Sequence, residues 1–107
     1  MRINLSSRHF RASENLKSFA KDEVMRLKKY YDGIIDCEII LEKQKDIRTC
    51  EIVAKVYGTV LTTSVESHDH FKSIVMAVDK IEQQLRKYKA KIRNPRSKRT
   101  EEKVMYS

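Results

Sequence analysis

Residues 69–93, DHFKSIVMAVDKIEQQLRKYKAKIR, carry an apolar repeat that only a long amphipathic helix can satisfy. Ile74, Val78, Ile81, Leu85, Tyr88 and Ile92 recur at steps of three and four residues, which lines up one helix face that must be buried. A second row lies beside that stripe. Lys80, Lys87 and Lys91 fall together on one flank, with Gln84 between them. Ammonium groups held in a row on a rigid element, edged by Gln rather than Glu, suit a polyanion.

The remaining elements must supply the cover that this stripe needs. Arg2 to Arg8 alternates, with Ile3 and Leu5 on one side, and predicts a short strand. Ser13 is a helix N-cap with Glu14 in the first turn, opening a helix that runs to about Tyr30. Leu16, Phe19, Ala20, Val24, Leu27 and Tyr31 form its apolar face. Asp32-Gly33 stops it, with Gly33 taking a left-handed conformation. Residues 34–43 have period two: Ile35, Cys37, Ile39 and Leu41 point inward, and Asp36, Glu38 and Glu42 outward. Residues 48–57 follow as a strand with Cys50, Ile52, Ala54 and Val56 inward. Gly58-Thr59 reverses the chain into 60–67, where Leu61, Thr63 and Val65 face the core.

The predicted order is β-α-β-β-β-α, an α+β fold with a four-stranded sheet and two parallel helices packed on one face. With 107 residues there is room for one core. The expected organisation is one domain over 1–93 and a flexible basic tail over 94–107, where NPRSKRTEEKVMYS has no periodicity. The tail cations Arg96, Lys98 and Arg99 would add nonspecific affinity, with Glu101 and Glu102 opposing them.

Net charge is +8, and it is unevenly placed. Residues 1–33 carry +4, residues 34–67 carry −2, and residues 68–107 carry +6. The acidic middle coincides with the strands and the basic thirds with the helices, so the sheet turns an acidic face to water. Assuming strands in sequence order and a right-handed first crossover, Lys17, Lys21 and Lys28 turn toward the second helix, and Lys80, Lys87 and Lys91 turn toward the first. Both sets would line one groove. Arg26 and Lys29 lie on the first helix's other flank, with Arg86, Lys89 and Arg93 on the second helix's other flank. A solvated face kept basic for solubility is the plainer reading of such rows, but solubility alone needs no segregation of sign.

No Gly-rich phosphate loop is present, since the chain holds two glycines. His68-Asp69-His70 lacks a further ligand set, so capping by Asp69 and packing by the histidines accounts for it better than a metal. Cys37 and Cys50 have no CxxC spacing and no partnered His, and read as buried thiols rather than as nucleophiles or a disulfide. No cofactor and no active site are expected, and Glu23, on the mainly apolar side of the first helix, stands at its rim or bonds Tyr30. No apolar run reaches membrane-spanning length and no signal peptide is evident, so a cytoplasmic protein is expected.

Ser7-Arg8-His9-Phe10, Ser13-Glu14-Asn15-Leu16, Leu27-Lys28-Lys29-Tyr30-Tyr31, Asp69-His70-Phe71 and the run Ala77 to Lys89 together resemble one known family across about residues 1–93. They are similar to the ribosome hibernation-promoting factors and ribosome-associated translation inhibitors, also called sigma modulation proteins, here in a short form. The resemblance implies the β-α-β-β-β-α fold and binding to the small ribosomal subunit and its rRNA, in the channel of messenger RNA and A- and P-site transfer RNA. It implies steric block of translation in stationary phase or stress, without chemistry, by a protein that is monomeric off the ribosome and has no membrane or small-molecule partner. Lys80, Lys87, Arg26, Lys29 and Arg86 match basic positions of the family. Gln83 stands where many relatives carry Arg, and Glu23 where a basic residue is common.

Two other functions fit the residues. One is a general double-stranded RNA-binding module with a related helix-on-sheet layout. The other is a regulator that binds a protein such as a sigma factor through the acidic sheet.

Overall fold

Seven elements follow in chain order: β1 (Arg2–Arg8), α1 (Glu14–Met25), α2 (Leu27–Tyr30), β2 (Asp36–Gln44), β3 (Ile47–Val56), β4 (Thr59–Ser67) and α3 (His70–Arg93). The structure, a computed structural model, describes residues 1–93, with side chains described to residue 91. The expected tail over 94–107 and the side chains of Ile92 and Arg93 lie outside the described residues.

The strands form one sheet in the order β1-β2-β3-β4. β1 runs parallel to β2, while β2–β3 and β3–β4 are antiparallel. The helices cover one face, and the core lies between. Cys37, Ile39 and Leu41 from β2, and Cys50, Ile52, Ala54 and Val56 from β3, meet Leu16, Ala20, Val24 and Leu27 from the first helix and Ile74, Ala77, Val78, Ile81 and Leu85 from α3. Both cysteines are free, and burial pushes each thiol up to about 12. Among the described residues no helix is long and apolar enough to cross a membrane.

Local signals set both helix starts. Ser13 Oγ accepts the Leu16 N–H at 3.1 Å, and Asp69 Oδ1 accepts the Phe71 N–H at 3.0 Å, so each cap satisfies a donor the helix leaves open. Ser67 Oγ and Ser73 Oγ lie 2.6 Å apart, and Ser73 Oγ donates to the Arg48 carbonyl at 2.7 Å, which ties the start of α3 to the sheet. His70 packs against Phe10 with ring centroids 4.7 Å apart and donates through Nε2 to the Glu42 carbonyl at 3.0 Å.

Three local expectations are corrected. The first helix breaks at Arg26, where i→i+3 bonds from Arg26 to Glu23 and from Lys29 to Arg26 tighten the turn between α1 and α2. Ile35 is 49% exposed while Ile34 is buried, because β2 begins only at Asp36 and Ile35 precedes the alternating register. Gly33 does not take a positive φ; among the glycines only Gly58 does, at 86°. Gly33 is required for space: a Cβ there would sit 2.5 Å from Cζ and from the hydroxyl oxygen of Tyr31.

The largest correction concerns the hand of the β1–α1–β2 crossover. Phe19 meets Phe71 edge to face at 5.0 Å. Arg86 lies over the Tyr30 ring at 5.4 Å, and Lys89 Nζ donates to the Tyr30 carbonyl at 2.9 Å. The pairs 19 with 71 and 30 with 86 and 89 ascend together, so the helices run parallel, as expected. At about 100° per residue, however, Phe19 and Tyr30 lie across the buried stripe from Lys17, Lys21 and Lys28. A right-handed crossover would have turned the lysine flank toward α3. The crossover is left-handed, against the strong general preference.

The main chain agrees. The Arg2 N–H bonds the Ile35 carbonyl at 3.2 Å, so the odd-numbered, helix-facing residues of β2 turn their carbonyls toward β1. With β2 upright and viewed from the helices, L-residues facing the viewer direct those groups to the right. β1 therefore stands to the right of β2, which is the left-handed arrangement.

Candidate nucleic-acid interface

The hand of the crossover decides where the cations go. Lys17, Lys21 and Lys28 do not face α3; they line the flank of the first helix on the β1 side. Lys80, Lys87 and Lys91 do not face α1. Gln84, from the same flank, donates through Nε2 to the Thr62 carbonyl at 2.9 Å, which places that flank over the β4 edge. A concavity of about 240 Å³ between them is lined by Thr59, Leu61, Gln84, Lys87, Tyr88 and Lys91. The expected single groove with six lysines is thus corrected to two separate rows, one on each side of the helical layer.

The cleft between the helices holds other charges. Arg26 Nη1 bonds Glu23 Oε1 at 2.7 Å, and Arg86 Nη2 lies 3.2 Å from Glu82 Oε2. These intrahelical pairs compensate the arginines locally, and as surface pairs each is worth at most about 1 kcal/mol. Glu23 thereby gains an account: it sits low on the cleft wall beneath Arg26 rather than bonding Tyr30. Lys89 spends its charge on the Tyr30 carbonyl. Lys29 lies on the solvent crest, in a shallow depression that Asp22, Met25, Arg26, Asp32 and, from the β1-side flank, Lys28 complete.

The outer rows are less compensated. Lys17 lies 3.6 Å from Glu14, whose side chain is almost wholly exposed. Among the described residues no carboxylate pairs with Lys21, Lys28, Lys29, Lys80 or Lys87. The opposite face of the molecule has the other sign. Asp36, Glu38, Glu42, Glu51 and Glu66 alternate outward along the sheet, with Arg2, Arg8 and Lys55 among them. The arrangement can hold polyanion backbone along the helical side while the sheet repels it.

Three features escaped the sequence reading. Tyr57, at the β3–β4 hairpin, is 83% exposed, although its Tyr-Gly-Thr context was a legible turn. Its carbonyl accepts the Tyr88 hydroxyl at 2.6 Å. Tyr30 serves as the platform under Arg86. Met25, Phe71 and Met76 are exposed on the helical side, so that side is not purely polar.

Residues 3–93 match the model of the family described as Sigma 54 modulation protein / S30EA ribosomal protein. The chain belongs to this family. Among its S30EA relatives, the ribosome hibernation promoting factor of Escherichia coli is 27% identical over 93 residues, covering 87% of this chain and 98% of that one. The protein of the same name from Pseudomonas putida is 24% identical over 91 residues, covering 85% and 89%. A solved ribosomal subunit interface protein from Coxiella burnetii superposes with a TM-score of 0.79 at 27% identity, over 84% of this chain and 99% of that one. The N-terminal domain of Thermus thermophilus Protein Y shares the fold, with a TM-score of 0.76 at 24% identity, over 82% and 99%. The S30EA match spans every described element, so the two lysine rows and the cleft lie on a scaffold common to the family.

Proposed function

We propose that this chain is a ribosome-associated hibernation factor. It binds the small ribosomal subunit through ribosomal RNA, occupies the channel used by messenger RNA and by A- and P-site transfer RNA, and blocks translation in stationary phase or stress, acting in the cytoplasm. The observation that carries this reading is the segregation of charge across the fold. Lys21, Lys28, Lys29, Lys80 and Lys87, which pair with no carboxylate among the described residues, crown the helical side, carboxylates occupy the sheet, and the scaffold is that of relatives named hibernation promoting factors.

The mechanism is exclusion rather than chemistry. Lys17, Lys21 and Lys28 on one flank, Lys80, Lys87 and Lys91 on the other, and Lys29, Arg26 and Arg86 between them neutralise phosphates and release condensed counterions. Folded RNA suits such a surface because A-form segments are recognised by shape and phosphate geometry more than by base edges. The helices hold the charges in place, so ordering costs on binding are confined to lysine side chains.

The test is sedimentation of the purified chain with small and large subunits through sucrose gradients at rising salt. Migration with the small subunit, falling steeply with salt, is the expected result. Association insensitive to salt, or equal binding to naked duplex RNA, contradicts it; the latter would favour a general RNA-binding module.

A further inference from the structure

The strip between α3 and the β4 edge has the makings of a second kind of RNA contact, of which the mechanism above uses only the lysines. β4 is the last strand of the sheet, with its outer edge unpaired by any strand among the described residues. The flank of α3 leans over that edge and is fixed to it at two points. Gln84 Nε2 holds the Thr62 carbonyl at 2.9 Å, and the Tyr88 hydroxyl holds the Tyr57 carbonyl at 2.6 Å. Between them runs the concavity lined by Thr59, Leu61, Gln84, Lys87, Tyr88 and Lys91, which contains two lysines and, among the described residues, no carboxylate. Next to it, tied through its carbonyl to Tyr88 of the lining, is Tyr57, 83% exposed on a hairpin whose Gly58 takes φ 86°. Val60, 51% exposed, follows on the same edge.

An exposed aromatic residue next to a concavity lined by lysines is an arrangement that single-stranded nucleic acid uses. The ring stacks on a base, which every base permits, and the cations follow the backbone. Duplex RNA offers no free base face and gains nothing from the ring. A tyrosine held by its main chain keeps its position while its ring remains free to stack, so little order need be gained on binding. The sheet side of the strip carries Thr59 and Leu61, which add contact area without opposing charge. Lys80, farther along the same flank, extends the cationic track.

We propose that the α3–β4 strip binds an unpaired RNA segment, with Tyr57 stacking on one base and Lys87 and Lys91 engaging the flanking phosphates. This rests on the reading of the helical side as an RNA-binding surface, and it divides the labour. The helical crest and both lysine rows engage folded backbone, and the β4-side strip, through Tyr57, takes a single strand as well.

The probes are a fluorescein-labelled oligouridylate of about ten nucleotides and an RNA duplex of similar length, read by fluorescence anisotropy with the full chain. Tyr57→Ala is expected to weaken the single strand about tenfold and to leave the duplex unchanged. Tyr57→Trp, which preserves a stacking face, is expected to retain single-strand binding, and Lys87→Glu is expected to weaken both probes. Because the Tyr57 side chain is exposed, these variants should keep the wild-type melting temperature, which circular dichroism checks. Equal single-strand affinity of Tyr57→Ala and wild type overturns the strip while leaving the wider RNA reading intact, provided Lys87→Glu still weakens the duplex. Failure of the wild type to bind either probe overturns both. Concentration-dependent self-association abolished by Tyr57→Ala would assign the edge to a second copy of the chain and also overturn the proposal.

Discussion

Lys89 Nζ donates to the main-chain carbonyl oxygen of Tyr30 at 2.9 Å, joining the last turn of α3 to the end of the first helix. That carbonyl is among those a helix terminus leaves without an intrahelical partner, and the positive charge meets the negative end of the helix dipole. Lys89→Met keeps most of the aliphatic stem and removes the donor. It should cost roughly 1 kcal/mol of stability, measured by urea denaturation, with little loss of RNA affinity because this charge is already engaged. A large loss of affinity at unchanged stability would assign Lys89 to the interface instead.

Gly33→Ala sets two effects of opposite sign against each other. At a position without positive φ, alanine ordinarily stabilises by about 0.4–1 kcal/mol through the unfolded chain. Here the added Cβ would meet the Tyr31 ring at 2.5 Å, and that ring packs edge to face against Tyr88 at 5.5 Å. Moving it should cost more than the entropy gain, for a net destabilisation of roughly 1–2 kcal/mol. In a Tyr31→Ala background the same substitution should become neutral or stabilising, and the four-member cycle of melting curves checks this.

His70 makes the fold sensitive to mild acid. Burial lowers its pKa below the ordinary value near 6.5, with Arg48 and Lys43 acting in the same direction, while the Glu42 carbonyl and Asp69 oppose them. The folded state therefore prefers the neutral ring, and the unfolded chain takes up the proton first. The stability contribution is fully present above the ordinary pKa and is lost as pH falls through that value toward the lower folded one. The melting temperature should decline across this window, and His70→Phe, which keeps the stack on Phe10, should remove this part of the decline.

The two lysine rows should act separately. With the rows on opposite sides of the helical layer, reversing Lys17, Lys21 and Lys28 to Glu leaves the β4-side row in place, and reversing Lys80 and Lys87 leaves the β1-side row. Each set should lower the slope of log affinity against log salt by about one for every phosphate that is no longer neutralised. The two free-energy losses should add, since distant sites couple little. Strong non-additivity in co-sedimentation would contradict two independent rows.

Much of this fold was legible because period-two and period-3.6 patterns report burial directly. Cys50, Ile52, Ala54 and Val56 alternate inward as read, and Ile74 to Leu85 form the buried stripe of α3. Ser13 and Asp69 announced their helices by cap chemistry. Ile35 misled because alternation does not mark where a strand begins, and Gly33 because a glycine after a helix serves crowding as well as conformation. The site was harder to read. Which residues share a flank follows from helical geometry, and Gln84, Lys87 and Lys91 do line one concavity. Which way a flank faces depends on the hand of the crossover, which leaves no local sequence signal and here goes against the general preference. Lys87 and Lys91, expected to face the first helix, stand instead over the β4 edge.

The most direct measurement is co-sedimentation of the Lys80→Glu, Lys87→Glu double variant with small ribosomal subunits at physiological salt, beside wild type. Both side chains are exposed and pair with no carboxylate among the described residues, so the melting temperature should hardly change. Loss of the variant from the subunit fractions, with the fold intact, is the expected result. Undiminished co-sedimentation would mean that these cations do not anchor the chain, and would contradict binding through the charged helical layer.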